Sequence, residues 1–305
     1  MGDNEVFRDM VSILGEGSVA QNVSMKQYTS IRTGGEARFL AEPDSTEKVL
    51  EILEYMRKKH LEFYIMGNGT NLIFPDSGYD GVVIRIGSKL SRIDHVGNRI
   101  TAQAGASLTA VSAIALESGL EGLEFASGIP GTIGGAVTMN AGAYGGEMSH
   151  VVAETLCVDE LGSIIRLKGE EHAFGYRKSR IQTDRLVVLE VTLLLRPGDK
   201  ADIKRRMDDF NGRRREKQPL NMPSAGSVFK RPEGYFAGQL IQECGLKGCT
   251  IGGAQVSDKH CGFIVNLGNA TSQDVLDLIR YVRKTVYERT GVLLEPEVRI
   301  IGGEI

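Results

Sequence analysis

Two glycine-bracketed loops and a handful of polar side chains are where this 305-residue chain could do chemistry. The first loop reads Met66-Gly67-Asn68-Gly69-Thr70-Asn71-Leu72, with two glycines around one asparagine. Successive backbone N–H groups can there turn toward one point, a nest that suits phosphate because no side chain stands in the way. It is not a Rossmann fingerprint, since Leu72 occupies the third glycine's place, and no Gly-Lys-Ser/Thr makes it a P-loop. A plain hairpin turn through Asn-Gly would use the same residues. The second loop, Ser127-Gly128-Ile129-Pro130-Gly131-Thr132-Ile133-Gly134-Gly135-Ala136, continues through Asn140, Gly142 and Gly145-Gly146. Missing β-carbons let a flat ligand or a diphosphate reach main chain, and Pro130-Gly131 suggests a type II turn. Tight packing of backbone on backbone is the competing explanation. Together, the two nests favour a dinucleotide lying between them.

Three further segments carry groups suited to acid–base or charge chemistry. Arg177 lies in Phe174-Gly175-Tyr176-Arg177-Lys178-Ser179, Ser227 in Ser224-Ala225-Gly226-Ser227-Val228-Phe229-Lys230, and Glu297 in Glu295-Pro296-Glu297-Val298-Arg299. Taken locally, these read as a solvated arginine, a turn serine and an exposed strand carboxylate. Arg213, Arg214, Arg215 and Lys217 fit the solvated end of a helix, where the dipole favours cations. Cys157, Cys244, Cys249 and Cys261 form no CxxC pair and the five histidines no ligand spacing, so neither metal nor a disulfide framework is expected. A net charge of −3 provides no field for nucleic acid, and no apolar run is long enough to span a bilayer. The acidic start MGDNEVFRDM is not a secretory leader, which points to the cytoplasm.

Glycine totals 38 of 305 residues, about 12% against a usual ~7%, and it concentrates between Gly119 and Gly146 without a collagen period. Around that segment the periodicity predicts a helix from an Asp44/Glu47 start to Lys59, a strand at Leu61–Met66, another at Val82–Ile86 and a third at Ile100–Ala104. A helix through Leu108, Val111 and Ala115 should stop at Gly119. Strands follow at 151–158, 164–167 and 186–195, then a break at Arg196-Pro197-Gly198. Beyond it come helices at 199–217 and 236–244, a strand at 263–266, a helix opened by Thr271/Asp274 and closed by Gly291, and a strand at 297–301. Strands and helices mix without strict alternation, so the class expected is α+β in two or three lobes.

Taken in order, these motifs closely resemble the UDP-N-acetylenolpyruvoylglucosamine reductases. The resemblance covers Thr29–Phe39 (TSIRTGGEARF), the Gly67–Asn71 loop, Gly128–Glu147 (GIPGTIGGAVTMNAGAYGGE), GYRKS, SAGSVFKRP and EPEVRIIG, nearly the whole chain. It implies an FAD-binding domain of the p-cresol methylhydroxylase/vanillyl-alcohol oxidase type, its first lobe 1–87 with 299–305 and its second 88–198, and a substrate domain at 199–298. The flavin diphosphate would lie on Gly67, Asn68, Gly69, Thr70 and Asn71 and on Gly128, Ile129, Pro130, Gly131, Thr132, Gly134 and Gly135, with Asn140 and Gly142 beyond. NADPH would reduce FAD at N5, and the hydride would pass to C3 of UDP-N-acetylglucosamine enolpyruvate, giving UDP-N-acetylmuramate for peptidoglycan precursors. By the same resemblance Arg177 would stabilise charge on the substrate carboxylate, Ser227 would protonate C2, and Glu297, kept neutral by burial, would donate toward that carboxylate. Tyr176 is placed to orient substrate. The chain has no room for the folded insertion of longer members, so the diphosphate of the substrate falls to Lys217, Lys230 and Tyr235 as candidates. The partner expected is this nucleotide sugar, with no nucleic acid, membrane insertion or protein partner. An FAD oxidase of a small alcohol or lactone is the alternative, but it would leave SAGS and EPEVR unexplained.

Overall fold

A computed structural model describes residues 2–303. By their internal contacts these residues form two compact units. One holds the chain up to Gln21, Phe39–Asn68 and Gly81–Arg214; the other holds Asn22–Arg38, Gly69–Asp80 and the chain from Arg215 onward.

In the first unit, helix α1 (Asp3–Leu14) buries Val6, Met10 and Leu14, one face at a four-residue spacing. It is an element additional to those expected from the sequence. Helix α2 (Thr46–Lys59) buries Val49, Ile52, Leu53 and Met56 as expected, but its N-cap is Ser45, not Asp44. The Ser45 hydroxyl accepts from Lys48 N at 3.2 Å, while Asp44 pairs with the Lys48 ammonium at 3.0 Å. The following strand is Phe63–Met66 rather than 61–66, because Leu61 N returns to Met56 O and finishes the helix. It runs parallel to Tyr79–Arg85, with Phe63 opposite Val82 and Met66 opposite Arg85.

Helix α3 (Leu108–Glu117) is capped by Ser107. A five-stranded antiparallel sheet carries Ile164–Lys168, Val152–Val158, Val187–Leu194, Arg99–Gln103 and Ile93–Val96, in that order. Its middle strand buries Val187, Val188, Leu189, Val191 and Leu193, with Glu190 and Thr192 half-buried between them. Helix α4 (Ile133–Thr138) packs on that strand from within the glycine-rich segment. Gly134 and Gly135 mask this helix in the sequence, glycine costing about 1 kcal/mol relative to alanine in a helix. A single turn, α5 (Arg180–Thr183), follows, and then α6 (Lys200–Lys217), whose first turn is closed by Asp199 accepting from Asp202 N at 3.0 Å.

The second unit has an antiparallel sheet in the order Ser224–Ser227, Phe263–Asn266, Ala254–Val256 and Thr250–Ile251. Helix α7 (Ala237–Glu243) lies between its caps Phe236 and Cys244. Helix α8 (Ser272–Thr290) has the expected capping box of Thr271 with Asp274, and Gly291 closes it at φ +73°. Asp76 caps it a second time, accepting from Ser272 N at 2.9 Å and Gln273 N at 2.8 Å. The expected strand at 297–301 shortens to Arg299–Ile300, which pairs parallel with Leu72–Ile73. Asn266 is buried and fully used, donating to Ile31 O at 3.0 Å and accepting from Gly268 N and Ala270 N. It thereby fixes the Thr29–Gly35 segment in this unit. Helices and antiparallel sheets without regular alternation make the chain α+β, in line with the class expected.

Candidate active site

The two glycine loops meet in the first unit. A β-carbon on Gly67 would fall inside the contact radius of the Thr132 hydroxyl and 3.1 Å from its Cγ2. Thr132 is the N-cap of α4, its Oγ1 accepting from Gly135 N at 3.3 Å. Gly134 N donates to Ala104 O at 3.0 Å, and a β-carbon there would stand 2.9 Å from the Ala104 methyl. Gly128 makes room for α6, since its β-carbon would lie 3.0 Å from Arg214 Nε. At Gly67 and Gly134, then, close packing alone demands glycine, while at Gly128 a β-carbon would meet only the side chains of Asn211 and Arg214. Gly135 is different. It is exposed, and the nearest atom to a β-carbon there is Thr132 Oγ1 at 3.4 Å, an ordinary contact. The protein's own packing does not require glycine at that position, and bare main chain is left on the surface. Gly131, at φ +122°, has the positive angle that the residue after Pro130 needs in a type II turn. The loop thus fits a group that lies directly on backbone.

Arg177 sits at the tip of a tight turn closed by two bonds between Gly175 and Lys178, at 3.0 and 3.1 Å. Its φ of +55° is a left-handed conformation that costs a branched or long residue of order 1–3 kcal/mol, so the surroundings must hold it. They do. The Arg177 guanidinium donates to Gly142 O at 3.0 Å and Asn140 O at 3.4 Å, and it lies 5.0 Å over the Tyr176 ring. Gln182 Nε2 reaches Arg177 O at 3.2 Å and Thr138 O at 2.6 Å. Asn140 is buried, and its side chain donates to Gly175 O at 3.0 Å and Glu147 Oε1 at 3.1 Å while accepting from Ser149 N at 2.9 Å. Behind the turn, His172 is buried and stacked on Phe174 at 4.8 Å. Its Nδ1 lies 2.9 Å from Gly169 O, which can only accept, so Nδ1 carries the proton and Nε2 accepts from Thr155 at 2.8 Å. Burial holds this imidazole below its ordinary pKa, against the Gly169 bond and the Glu171 charge.

Ser227 and Glu297 come together in the second unit. Ser227 ends the strand Ser224–Ser227 opposite Phe263, after Gly226 at φ +80°. Its neighbour Val228 O accepts from Glu297 N at 2.7 Å, and Phe229 bridges to Pro296. Asn71, from the first glycine loop, donates to Glu297 O at 3.1 Å. Gly262 lies between His260 and Ser227: a β-carbon on it would stand 3.0 Å from the His260 ring and 3.4 Å from Ser227 Oγ; the ring accepts from Gly262 N at 3.1 Å, and burial holds its pKa down. No local motif signals this, since His260 stands far from Ser227 along the chain. The Gly67–Asn71 loop is divided: Gly67 and Asn68 count with the first unit, Gly69, Thr70 and Asn71 with the second. Arg177 belongs to the first unit as well. Of the candidates for the substrate diphosphate, Lys217 is exposed at the end of α6 and Lys230 pairs with Glu295 at 3.0 Å. Tyr235 is exposed beside Arg231, whose Nε donates to Tyr235 O at 3.3 Å. Among the described residues no group of three His, Cys, Asp or Glu side chains could hold a metal ion, and no helix is long and apolar enough to cross a membrane.

A family model for an FAD binding domain matches residues 37–168, the segment that contains both glycine loops. With the bare backbone at Gly135 and the two loops in contact, this defines a flavoprotein oxidoreductase. Residues 218–301 match the family model for the C-terminal domain of UDP-N-acetylenolpyruvoylglucosamine reductase. Proteins of that name are similar over nearly their full length. The one from Caldanaerobacter subterraneus is 49% identical over 95% of this chain and 96% of its own, and that from Limosilactobacillus reuteri 52% identical over 93% and 95%. The crystal structure of the enzyme from Thermus caldophilus superposes with a TM-score of 0.79 at 35% identity, covering 92% of this chain and 97% of that one. The chain belongs to the UDP-N-acetylenolpyruvoylglucosamine reductase family.

Proposed function

We propose that this chain reduces the enolpyruvyl group of UDP-N-acetylglucosamine enolpyruvate to the lactyl ether, yielding UDP-N-acetylmuramate for peptidoglycan precursors. The observation that carries this is identity near one half, end to end, with proteins of that activity's name. Bound FAD, reduced by NADPH, supplies the hydride that reaches C3 of the substrate. Gly67 to Asn71 and Gly128 to Thr132 would hold the cofactor on main chain, and Gly135, whose own N–H goes to Thr132 Oγ1, would offer its exposed backbone face to it. Gly134, Asn140 and Gly142 would serve it by shaping the loop, because the Gly134 N–H, the Asn140 side chain and the Gly142 carbonyl already serve protein groups.

Hydride arrival at C3 leaves negative charge at C2 and on the adjoining carboxylate. A guanidinium is a planar cation whose fork matches a carboxylate, so Arg177 would stabilise that charge as it develops. Ser227 would donate its hydroxyl proton to C2, a strongly basic carbon at short range. Glu297, in its neutral form, would donate a hydrogen bond toward the same carboxylate. Tyr176 would orient the substrate, and Lys217, Lys230 and Tyr235 would meet its diphosphate. Residues 1–87 with 299–305 and 88–198 would serve the flavin, and 199–298 the nucleotide sugar. The four free cysteines, three of them buried, suit the cytoplasm.

Anaerobic addition of NADPH and then of the enolpyruvyl substrate to the yellow protein tests the proposal. Bleaching followed by return of colour with substrate is the expected result. Colour that returns only with oxygen would instead indicate an oxidase of a small alcohol or lactone.

A further inference from the structure

The turn that carries Arg177 is built on the glycine-rich segment. Both carbonyls that receive its guanidinium, Asn140 O and Gly142 O, lie there. Asn140, itself left-handed at φ +42°, clamps the base of the turn through Gly175 O. Its second amide hydrogen goes to Glu147 Oε1, which also receives the Ser149 hydroxyl, while Ser149 N donates back to Asn140 Oδ1. Glu147 therefore closes a three-residue ring that fixes the orientation of the Asn140 amide: one face can only donate, the other only accept. Burial pushes the Glu147 carboxyl up, but bonds from Ser149 and Asn140 and the charges of His150 and Arg177 outweigh it and hold the group ionised. Nothing in the family resemblance assigns this carboxylate a task.

We propose that Glu147 is a positioning residue for Arg177, acting through the Asn140 amide that ties the glycine segment to the Gly175–Lys178 turn. Without that acceptor the Asn140 amide keeps only its bonds with Ser149 N and Gly175 O, so the clamp that helps to hold Arg177 left-handed above Gly142 is loosened. The inference rests on the reading of Arg177 as the group that meets the substrate carboxylate. It predicts a defect in substrate reduction that clearly exceeds any in flavin reduction, both compared at equal FAD content.

The test uses the holoenzyme and its two half-reactions. Compared at equal FAD content, Glu147→Ala should bleach with NADPH within a fewfold of the wild-type rate, yet recover colour with the enolpyruvyl substrate roughly tenfold to a hundredfold more slowly, the scale of a misplaced catalytic group. Glu147→Gln keeps an oxygen for the Asn140 and Ser149 bonds and should restore most of that rate. Ser149→Ala, a smaller change should the alanine variant at Glu147 fail to fold, should show a weaker defect in the same half-reaction. Wild-type recovery in both alanine variants, or an equal loss in both half-reactions, would overturn the proposal. A wild-type enzyme that bleaches but does not recover with the enolpyruvyl substrate would instead remove the functional reading beneath it.

Discussion

Asn71 ties itself to Glu297 by its side chain and to the next strand by its main chain: Asn71 Nδ2 donates to Glu297 O at 3.1 Å, and Asn71 O accepts from Arg299 N at 3.0 Å. The first glycine loop and the segment bearing the carboxylate are thus held in one register, extended by the parallel pairing of Leu72 with Arg299.

Asn71→Asp should uncouple them. The new carboxylate would face Glu297 O, acceptor against acceptor, at a cost of about 1–3 kcal/mol. We expect a lower urea midpoint and slower colour return with the enolpyruvyl substrate, both measured on protein of known FAD content. An unchanged midpoint would show that the bond contributes nothing to the fold.

Ser227→Ala should leave reduction of the flavin by NADPH intact and slow substrate reduction by roughly a hundredfold or more, the usual worth of a positioned proton donor. Normal turnover by this variant would remove Ser227 from the role of proton donor.

Gly67 and Thr132 make a pair suited to a double-mutant cycle. Gly67→Ala places a methyl against the Thr132 side chain and should cost about 1–3 kcal/mol by overpacking. Thr132→Ala should cost about 1 kcal/mol as a lost N-cap of α4. The double variant should be less destabilised than the sum, since Thr132→Ala removes the Oγ1 and Cγ2 that the new methyl would meet. Strict additivity in urea unfolding would mean the two loops do not press on each other.

His172 is neutral and hydrogen-bonded on both nitrogens, and its pKa in the folded state lies below the unfolded value of about 6.5. As pH falls below about 6.5 the unfolded chain takes up a proton that the folded chain does not, so stability falls with acidification, by at most about 1.4 kcal/mol per pH unit for this group. His260 is shifted in the same direction. Urea midpoints should fall between pH 7.5 and pH 5.5, and His172→Asn should flatten, without abolishing, that slope. An equally steep slope in the variant would assign the pH dependence elsewhere.

Helices announced by their own ends are legible in the amino-acid sequence. Thr271, Asp274 and Gly291 mark both ends of α8 by local chemistry, and the structure has all three in those roles. Where two neighbours can each cap, at Asp44 and Ser45, the choice depends on Lys48 drawing the carboxylate away, which spacing does not reveal. Helix α1 has a readable signal in Val6, Met10 and Leu14, but only three apolar positions carry it through an otherwise polar, acidic stretch. Helix α4 has none, because Gly134 and Gly135 are glycine for reasons outside the helix. The glycine loops are visible as candidates, but only atomic contacts separate Gly67 and Gly134, required by packing, from Gly135, which is not. Glu147 closes the Gly128–Glu147 motif without a signal of its own, since its partners Asn140 and Ser149 become meaningful only once the turn is folded.

The second unit is assembled from three stretches of chain, two of which, Asn22–Arg38 and Gly69–Asp80, precede most of the first unit. During translation those early stretches leave the ribosome long before residues 215–305, with which Ile31 and Ile73 share a core. Their apolar side chains must wait, exposed or transiently covered, until the last third of the chain emerges. Release of unfinished chains should therefore strand Ile31 and Ile73 without their core, and a nascent chain truncated near residue 214 is where a chaperone should bind most persistently.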